Sequence, residues 1–221
     1  MNTNTTSVWR KKLKELEIVV VIPTYNNGKT LAAVIEEVYR YADDIIVIND
    51  GSTDDTANIL EQYPAIRTIT HPVNKGKGTA LKHGLSQAKK EGFRYAITID
   101  SDGQHFASDI PCFIEAIEKE PDTLLVGARN LASDNMPGKN TFANKFSNFW
   151  FRLETGLKLE DTQSGYRLYP LRKMNVQSCW YTAKYEFELE AIVFAAWEDV
   201  AVKNIPIHVY YCLLYTYDAA D

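Results

Sequence analysis

Residues 18–22 read Ile18-Val19-Val20-Val21-Ile22, an unbroken run of β-branched side chains. A run this short is a strand. A strand with no polar alternation must be covered on both faces, as in a parallel sheet between two helical layers. The pattern recurs in Ile45-Ile46-Val47-Ile48, in residues 66–70 and in Tyr95-Ala96-Ile97-Thr98-Ile99. Between these strands, residues 29–41 place Leu31, Val34, Ile35 and Val38 on one helical face. Residues 54–63 and 76–91 also read as helices, the former with Thr53 or Asp54 as its N-cap. This alternation predicts an α/β fold, with a mostly parallel central sheet and helices on both faces. Upstream, residues 8–17 form a short basic helix within a leader spanning 1–17.

Sheets of this kind bind ligands beyond the carboxyl ends of their strands. Those ends carry Pro23-Thr24-Tyr25, Asn49-Asp50-Gly51-Ser52 and Asp100-Ser101-Asp102, so three polar clusters converge on one edge. Two carboxylates two residues apart, where a buried strand runs out, suit a hard divalent cation that also holds phosphate oxygens. By itself the same pair is equally a solvated turn. The Asp50 carboxylate can accept from nucleobase N–H groups or ribose hydroxyls; a tight turn with a helix cap uses the same residues. Gly76 and Gly78 permit close backbone approach and Lys75 or Lys77 can neutralise phosphate, against the alternative of a plain helix-leading loop. Asn27-Gly28-Lys29-Thr30 imitates the end of a phosphate-binding P-loop, but Pro23 stands where the earlier glycine is required.

Regularity weakens after residue 109. Helices are expected over 110–118, 142–153 and 185–197, and strands over 124–127 and 205–210. Gly127-Ala128-Arg129 ends a strand on an arginine, whose planar fork suits a phosphate or, less specifically, a surface ion pair. Asn140, Asn144 and Lys145 lie at helical spacing as a wall of an acceptor pocket. Phe142, Phe146, Phe149 and Trp150 share one face, which either packs into the core or rests against an acyl chain. No repeat or linker divides the chain, so residues 18–211 are expected to form a single domain, with 18–105 the nucleotide half and 106–211 the acceptor half.

A net charge of −5 argues against a general nucleic-acid binder. The cysteines, Cys112, Cys179 and Cys212, are too scattered for a zinc site or a disulfide framework and fit a reducing compartment. No run approaches the roughly 20 apolar residues of a membrane span. The expected location is the cytoplasm, with contact at the inner face of the membrane.

Taken together, Val20-Val21-Ile22-Pro23-Thr24-Tyr25-Asn26, Val47 to Asp54, Asn74-Lys75-Gly76-Lys77-Gly78, Asp100-Ser101-Asp102 and Asp161-Thr162-Gln163-Ser164-Gly165-Tyr166-Arg167 resemble family 2 glycosyltransferases. The branch resembled is that of dolichyl-phosphate mannose synthase and related polyprenyl-phosphate glycosyltransferases. The resemblance covers roughly residues 18–210. It implies the GT-A fold and an inverting, metal-dependent transfer from a UDP- or GDP-sugar to a lipid-linked phosphate or another envelope glycan or lipid.

By the same resemblance, Pro23, Tyr25, Asn26, Asp50, Lys77, Gly78, Asp100 and Ser101 would bind the nucleotide sugar. Asp102, with Asp100, would hold Mg²⁺ or Mn²⁺, and His105 is either a further ligand or a satisfied loop histidine. Gln163 and Arg167 would meet the acceptor. Asp161 or Glu188 would serve as general base for an alcohol acceptor, whereas Arg129 would hold a phosphate acceptor. Asn49 stands where many relatives carry a second Asp, which leaves the base open. Residues 212–221 match nothing in the family and are expected to be foreign, the natural chain continuing past Tyr211. A sugar nucleotidyltransferase, or a silent sugar-nucleotide-binding module, is the alternative; the former would carry a glycine-rich basic loop after the first strand, where Pro23-Thr24-Tyr25-Asn26 stands.

Overall fold

The strand Ile18–Thr24 (β1) is buried along its whole length and sits near the middle of a seven-stranded sheet. The computed structural model describes residues 3–129, 159, 161–174 and 186–208. Around β1 the chain runs α1 (Thr3–Glu15), β1, α2 (Gly28–Tyr39), β2 (Ile45–Asn49), α3 (Thr56–Glu61), β3 (Arg67–Thr70), α4 (Lys77–Lys90) and β4 (Tyr95–Thr98). A 3₁₀ turn at Ala107–Asp109 leads into α5 (Ile110–Lys119), followed by β5 (Leu124–Arg129), β6 (Arg167–Pro170), α6 (Glu186–Trp197) and β7 (Val202–Ile207).

The strand order is β3-β2-β1-β4-β6-β5-β7. From β1 the chain steps outward through β2 and β3, then returns through α4 to place β4 on the other side of β1. That reversal opens a crevice at the carboxyl ends of β1 and β4. β6 runs antiparallel to both β4 and β5, pairing Thr98 with Arg167 and Val126 with Arg167. Its reversed direction delivers the preceding segment, residues 161–166, to the same edge as the end of β4.

Alternation along the strands sorts the core into two layers. Ile18, Val20 and Ile22 pack with α1, α2, α3 and α5 through Leu13, Leu31, Ile35, Leu60 and Phe113. Val19, Val21, Ile46 and Ile48 face α4 and α6 through Leu81, Leu85, Phe187 and Ala191. The expected helices on both faces are therefore present.

Three sequence expectations need correction. Helix α3 is shorter than 54–63, and its N-cap position is Asp55, which makes no side-chain cap bond. Asp54 still serves it: Oδ1 accepts from the Thr56 amide at 3.1 Å, and Oδ2 from the Gly28 amide at 2.8 Å. Strand β6 is absent from the elements expected from sequence, because a four-residue strand of mixed character has no periodicity to announce it. The closing strand is Val202–Ile207 rather than 205–210. The aromatic segment 142–153 and the tail 212–221 lie outside the described residues.

Two predictions follow from this packing. An added Cβ at Gly84 would stand 2.5 Å from Ile48 Cδ1 and 2.6 Å from Val21 Cγ1, both in the core beneath α4. Gly84→Ala should therefore destabilise the fold by about 1–3 kcal/mol in denaturant melts. The buried Asp109 carboxylate accepts from the His208 amide at 2.7 Å and pairs with His208 Nδ1 at 2.8 Å, clasping the 3₁₀ turn to the end of β7. The hydrogen bond to Asp109, and then its charge, raise the His208 pKa above the ordinary histidine value. Stability from this clasp is present below the unfolded histidine pKa and is lost as pH rises through the folded one. Histidine NMR should show His208 titrating above a free imidazole in the wild type and near it in Asp109→Asn.

Candidate active site

A cavity of about 520 Å³ occupies the crevice beyond β1 and β4, within the ordinary range for small-ligand sites. Its walls are Pro23, Thr24 and Tyr25 after β1, Asp50 after β2, Asn74, Gly76, Lys77 and Ala80 around the start of α4, and Asp100, Ser101 and Asp102 after β4. Asn27 completes it from the start of α2. Polar segments meet here because the strands that precede them are buried on both faces and carry polar groups only where they end.

Asp50 is buried and tightly held. Its Oδ1 accepts from the Lys75 amide at 3.0 Å and sits 2.6 Å from His71 Nδ1, while Oδ2 accepts from the Gly76 amide at 2.8 Å. A carboxylate offers about four acceptor positions, so one on Oδ2 remains for a ligand. Gly51 turns at φ +73°, and a Cβ there would fall 2.4 Å from the Val73 carbonyl carbon. The β2 turn and the loop leading into α4 are thus in direct backbone contact. The Asn49 side chain accepts from the Ser52 amide at 3.0 Å and is used up in shaping this turn.

At the other side of the cavity, Lys77 Nζ lies 2.7 Å from Asp100 Oδ1 and 2.8 Å from Glu188 Oε1. Burial opposes the Lys77 charge, but Asp100 and then Glu188 overcome it and hold the ammonium well above the usual lysine range. Burial likewise opposes ionisation of Asp100, and Lys77, then His105, lower its pKa nonetheless. Asp102 differs. It is exposed at the rim, with Oδ1 accepting from the Gln104 amide at 2.9 Å, and its pKa is raised by desolvation and then by the charge of Asp100. The loop carrying it is clamped to α2: the Thr30 hydroxyl donates to the Ser101 carbonyl at 2.6 Å and Asn27 Nδ2 to Ser101 Oγ at 2.8 Å.

Arg167 is fully buried beneath this arrangement. Nε donates to the Ser164 carbonyl at 2.7 Å and NH2 to that of Thr162 at 2.9 Å, while NH1 donates to the Glu188 carbonyl. It binds residues 162–164 to the start of α6 and is not among the residues lining the cavity. Asp161 is also fully buried, with Oδ1 accepting from the Gln163 amide at 2.9 Å and its carbonyl from Asn204 Nδ2 at 3.0 Å. It too stands apart from the cavity. Gln163 is exposed.

Two neighbours replace residues expected at the wall. Asn26, at φ 52°, accepts from the Thr53 amide at 2.8 Å through Oδ1 and leaves the wall to Asn27. Gly78 is buried inside the first turn of α4, and Gly76, at φ 93°, makes the close approach. Pro23, Tyr25, Asp50, Lys77, Asp100, Ser101 and Asp102 are brought together as expected. Glu188 reaches them through Lys77. His105 lies with Nδ1 4.0 Å from Asp100 Oδ2 and its ring tilted against Tyr166. Arg129 ends β5; its side chain, and Asn140, Asn144 and Lys145, lie outside what the structure describes.

Sequence reasoning gave no individual role to Asn27, Asn74, Gly165 or His71. Gly165 carries a specific signal, since a Cβ there would meet Asp100 Oδ2 at 2.6 Å, Glu188 Oε1 at 2.8 Å and Lys77 Nζ at 2.9 Å. Gly165→Ala should push this ion-pair group apart and destabilise the fold by about 1–3 kcal/mol, as read in denaturant melts.

Comparison with known proteins agrees with this geometry. The Glycosyl transferase family 2 profile matches residues 19–178. A UDP-N-acetylglucosamine–dolichyl-phosphate N-acetylglucosaminyltransferase of Methanococcus voltae is 30% identical over 215 residues, covering 88% of this chain and 86% of its own. A polyprenol monophosphomannose synthase of Mycolicibacterium smegmatis is 26% identical, with 86% and 76% covered. In structure, glucosyl-3-phosphoglycerate synthase from Mycobacterium tuberculosis, solved with UDP, superposes with a TM-score of 0.69 at 20% identity, covering 94% of this chain and 76% of its own. The same enzyme has been solved with Mn²⁺, UDP-glucose and phosphoglyceric acid. The sheet order, the carboxylate-lined crevice and the profile match agree, and the chain belongs to glycosyltransferase family 2, with the GT-A fold.

Proposed function

We propose that this glycosyltransferase moves a sugar, with inversion, from a UDP-sugar to a polyprenyl-type lipid phosphate, assisted by Mg²⁺ or Mn²⁺. The observation that carries the reading is the exposed Asp102 carboxylate, two residues from Asp100, on the wall of a nucleotide-sized cavity where Lys77 already fixes Asp100. Carboxylate oxygens open to the cavity are what a hard cation needs, and diphosphate oxygens and water would complete its shell. The residues therefore fit a divalent ion held by Asp102 with Asp100. When bound, that ion would act as a Lewis acid on the departing diphosphate.

The protein's own groups supply the rest. Pro23, Thr24 and Tyr25 would flank the nucleoside, and the remaining acceptor position of Asp50 Oδ2 would take a base N–H or a ribose hydroxyl. The first turn of α4, entered at Gly76, would present the positive end of the helix dipole to the diphosphate. Lys77 would fix the orientation of Asp100 and add positive charge near the reacting centre. Glu188 neutralises Lys77, an assignment that leaves it unsuited to the general-base role. A phosphate acceptor is already anionic and needs no base, in keeping with the burial of Asp161. Arg129, at the end of β5, would hold that phosphate. The relatives named for dolichyl phosphate and polyprenol support the acceptor class, and the N-acetylglucosaminyltransferase supports UDP.

A panel of UDP- and GDP-sugars crossed with polyprenyl phosphate, with Mn²⁺ present, tests this. Transfer is expected from a UDP-sugar, and Asp102→Asn should lower it roughly a hundredfold or more while leaving the melting temperature near wild type. Pyrophosphate release from a sugar 1-phosphate and a nucleoside triphosphate, without sugar transfer, would instead identify a nucleotidyltransferase.

A further inference from the structure

His71 has no part in the chemistry above, yet it is 4% exposed and sits between two ionisable side chains. Its Nδ1 is 2.6 Å from Asp50 Oδ1, and its Nε2 is 2.7 Å from Nδ1 of His83 on α4. The two imidazole rings meet edge to face, 4.7 Å between centroids. At the chain level the His71 amide donates to the Asn49 carbonyl at 2.9 Å, continuing the β2–β3 ladder to the very end of both strands.

Hydrogen-bond chemistry restricts what this line can hold. A carboxylate only accepts, so His71 Nδ1 carries a proton and donates it to Asp50. At 2.7 Å, one proton fits between His71 Nε2 and His83 Nδ1, so the two rings cannot both be doubly protonated. Burial, and then the neighbouring His71 and Lys75, push the His83 pKa below the ordinary histidine value, with Asp50 opposing and Lys90 adding to the shift.

The same Asp50 carboxylate receives the amides of Lys75 and Gly76, the last residues before α4. A carboxylate free to rotate could not serve both amides at once; His71 fixes its plane. Gly51 lies against the same loop, where a Cβ would fall 2.4 Å from the Val73 carbonyl carbon and 2.5 Å from the Asn74 amide nitrogen.

We infer that His71 is a positioning residue for nucleotide binding: through an Asp50–His71–His83 line it sets the Asp50 carboxylate and, with it, the loop that opens α4 toward the diphosphate. His71 touches neither the cavity nor the reacting atoms. It acts by holding Asp50 Oδ2 toward the ligand and by keeping Gly76 where the first-turn amides of α4 face the cavity. The inference rests on the nucleotide-sugar reading of that cavity.

The test is UDP and GDP binding by calorimetry with Mn²⁺ present, alongside sugar transfer at saturating donor. His71→Ala should raise the UDP dissociation constant about tenfold, the loss of one hydrogen bond to a charged group, with kcat changed less than about twofold. His71→Asn should restore affinity to within about threefold of wild type, because its amide can donate to Asp50 as Nδ1–H does. His83→Ala, outside the cavity, should weaken binding by about threefold without altering kcat. Unchanged nucleotide affinity in His71→Ala, or a folded His71→Asn as weak as His71→Ala, would overturn the inference. Should His71→Ala fail to fold, His83→Ala decides it, and unchanged affinity there refutes the line. A wild-type protein that binds neither nucleotide would instead refute the reading of the cavity.

Discussion

A strand covered on both faces holds a polar side chain only where that group finds a buried partner, so most of its chemistry is driven to its end. β1 is buried from Ile18 through Thr24 and β4 from Tyr95 through Thr98, and the functional groups begin where they stop. The chain's reversal between β1 and β4 parts the connecting segments there and leaves room for a ligand. Once two such strands lie side by side, the site is confined to one edge, and the remaining elements either brace it or supply one side chain to it.

Bracing is mostly electrostatic. An ionised group out of water needs a partner, and each buried one here has it. Asp50 takes two amides and an imidazole, Asp100 takes an ammonium, and Arg167 gives its donors to three carbonyls. These pairings join the two halves of the chain: Lys77 of α4 meets Glu188 of α6, and Thr98 Oγ1 donates to the Gly165 carbonyl at 2.7 Å. Asp102 differs in kind: it is exposed at the rim, and desolvation and then the charge of Asp100 raise its pKa while the Gln104 amide, His105 and Lys77 oppose them.

The reversed strand β6 explains how the second half takes part. Were it parallel, the segment 161–166 would arrive at the opposite edge of the sheet. Because it runs against β4, the Gly165 backbone lies against Asp100, with no space for a side chain between them. Residues 161–167 therefore brace this edge of the sheet, with the Asp161 and Arg167 side chains buried.

Much of this was legible in the residues alone. The buried strands, the amphipathic face of α2 and the clustering of Pro23, Asp50, Asp100 and Asp102 at the strand ends follow from local pattern, because a period of two or 3.6 and a break in hydrophobicity are properties of adjacent residues. What each polar side chain does there was not legible. Asn26 and Asn27 are identical in type and adjacent, and a backbone φ of 52° at Asn26 sends one to the Thr53 amide while its neighbour reaches Ser101. Arg167 read as an acceptor-binding group and Asp161 as a general base; in the fold Arg167 gives its donors to the Thr162, Ser164 and Glu188 carbonyls, and the Asp161 carboxylate accepts from the Gln163 amide, both buried. Sequence by itself determined the elements, their burial and the edge on which the chemistry collects. Tertiary structure decided which polar groups are satisfied internally and which remain for a ligand, since a hydrogen bond or ion pair depends on separations of about 3 Å between residues that the chain order does not bring together.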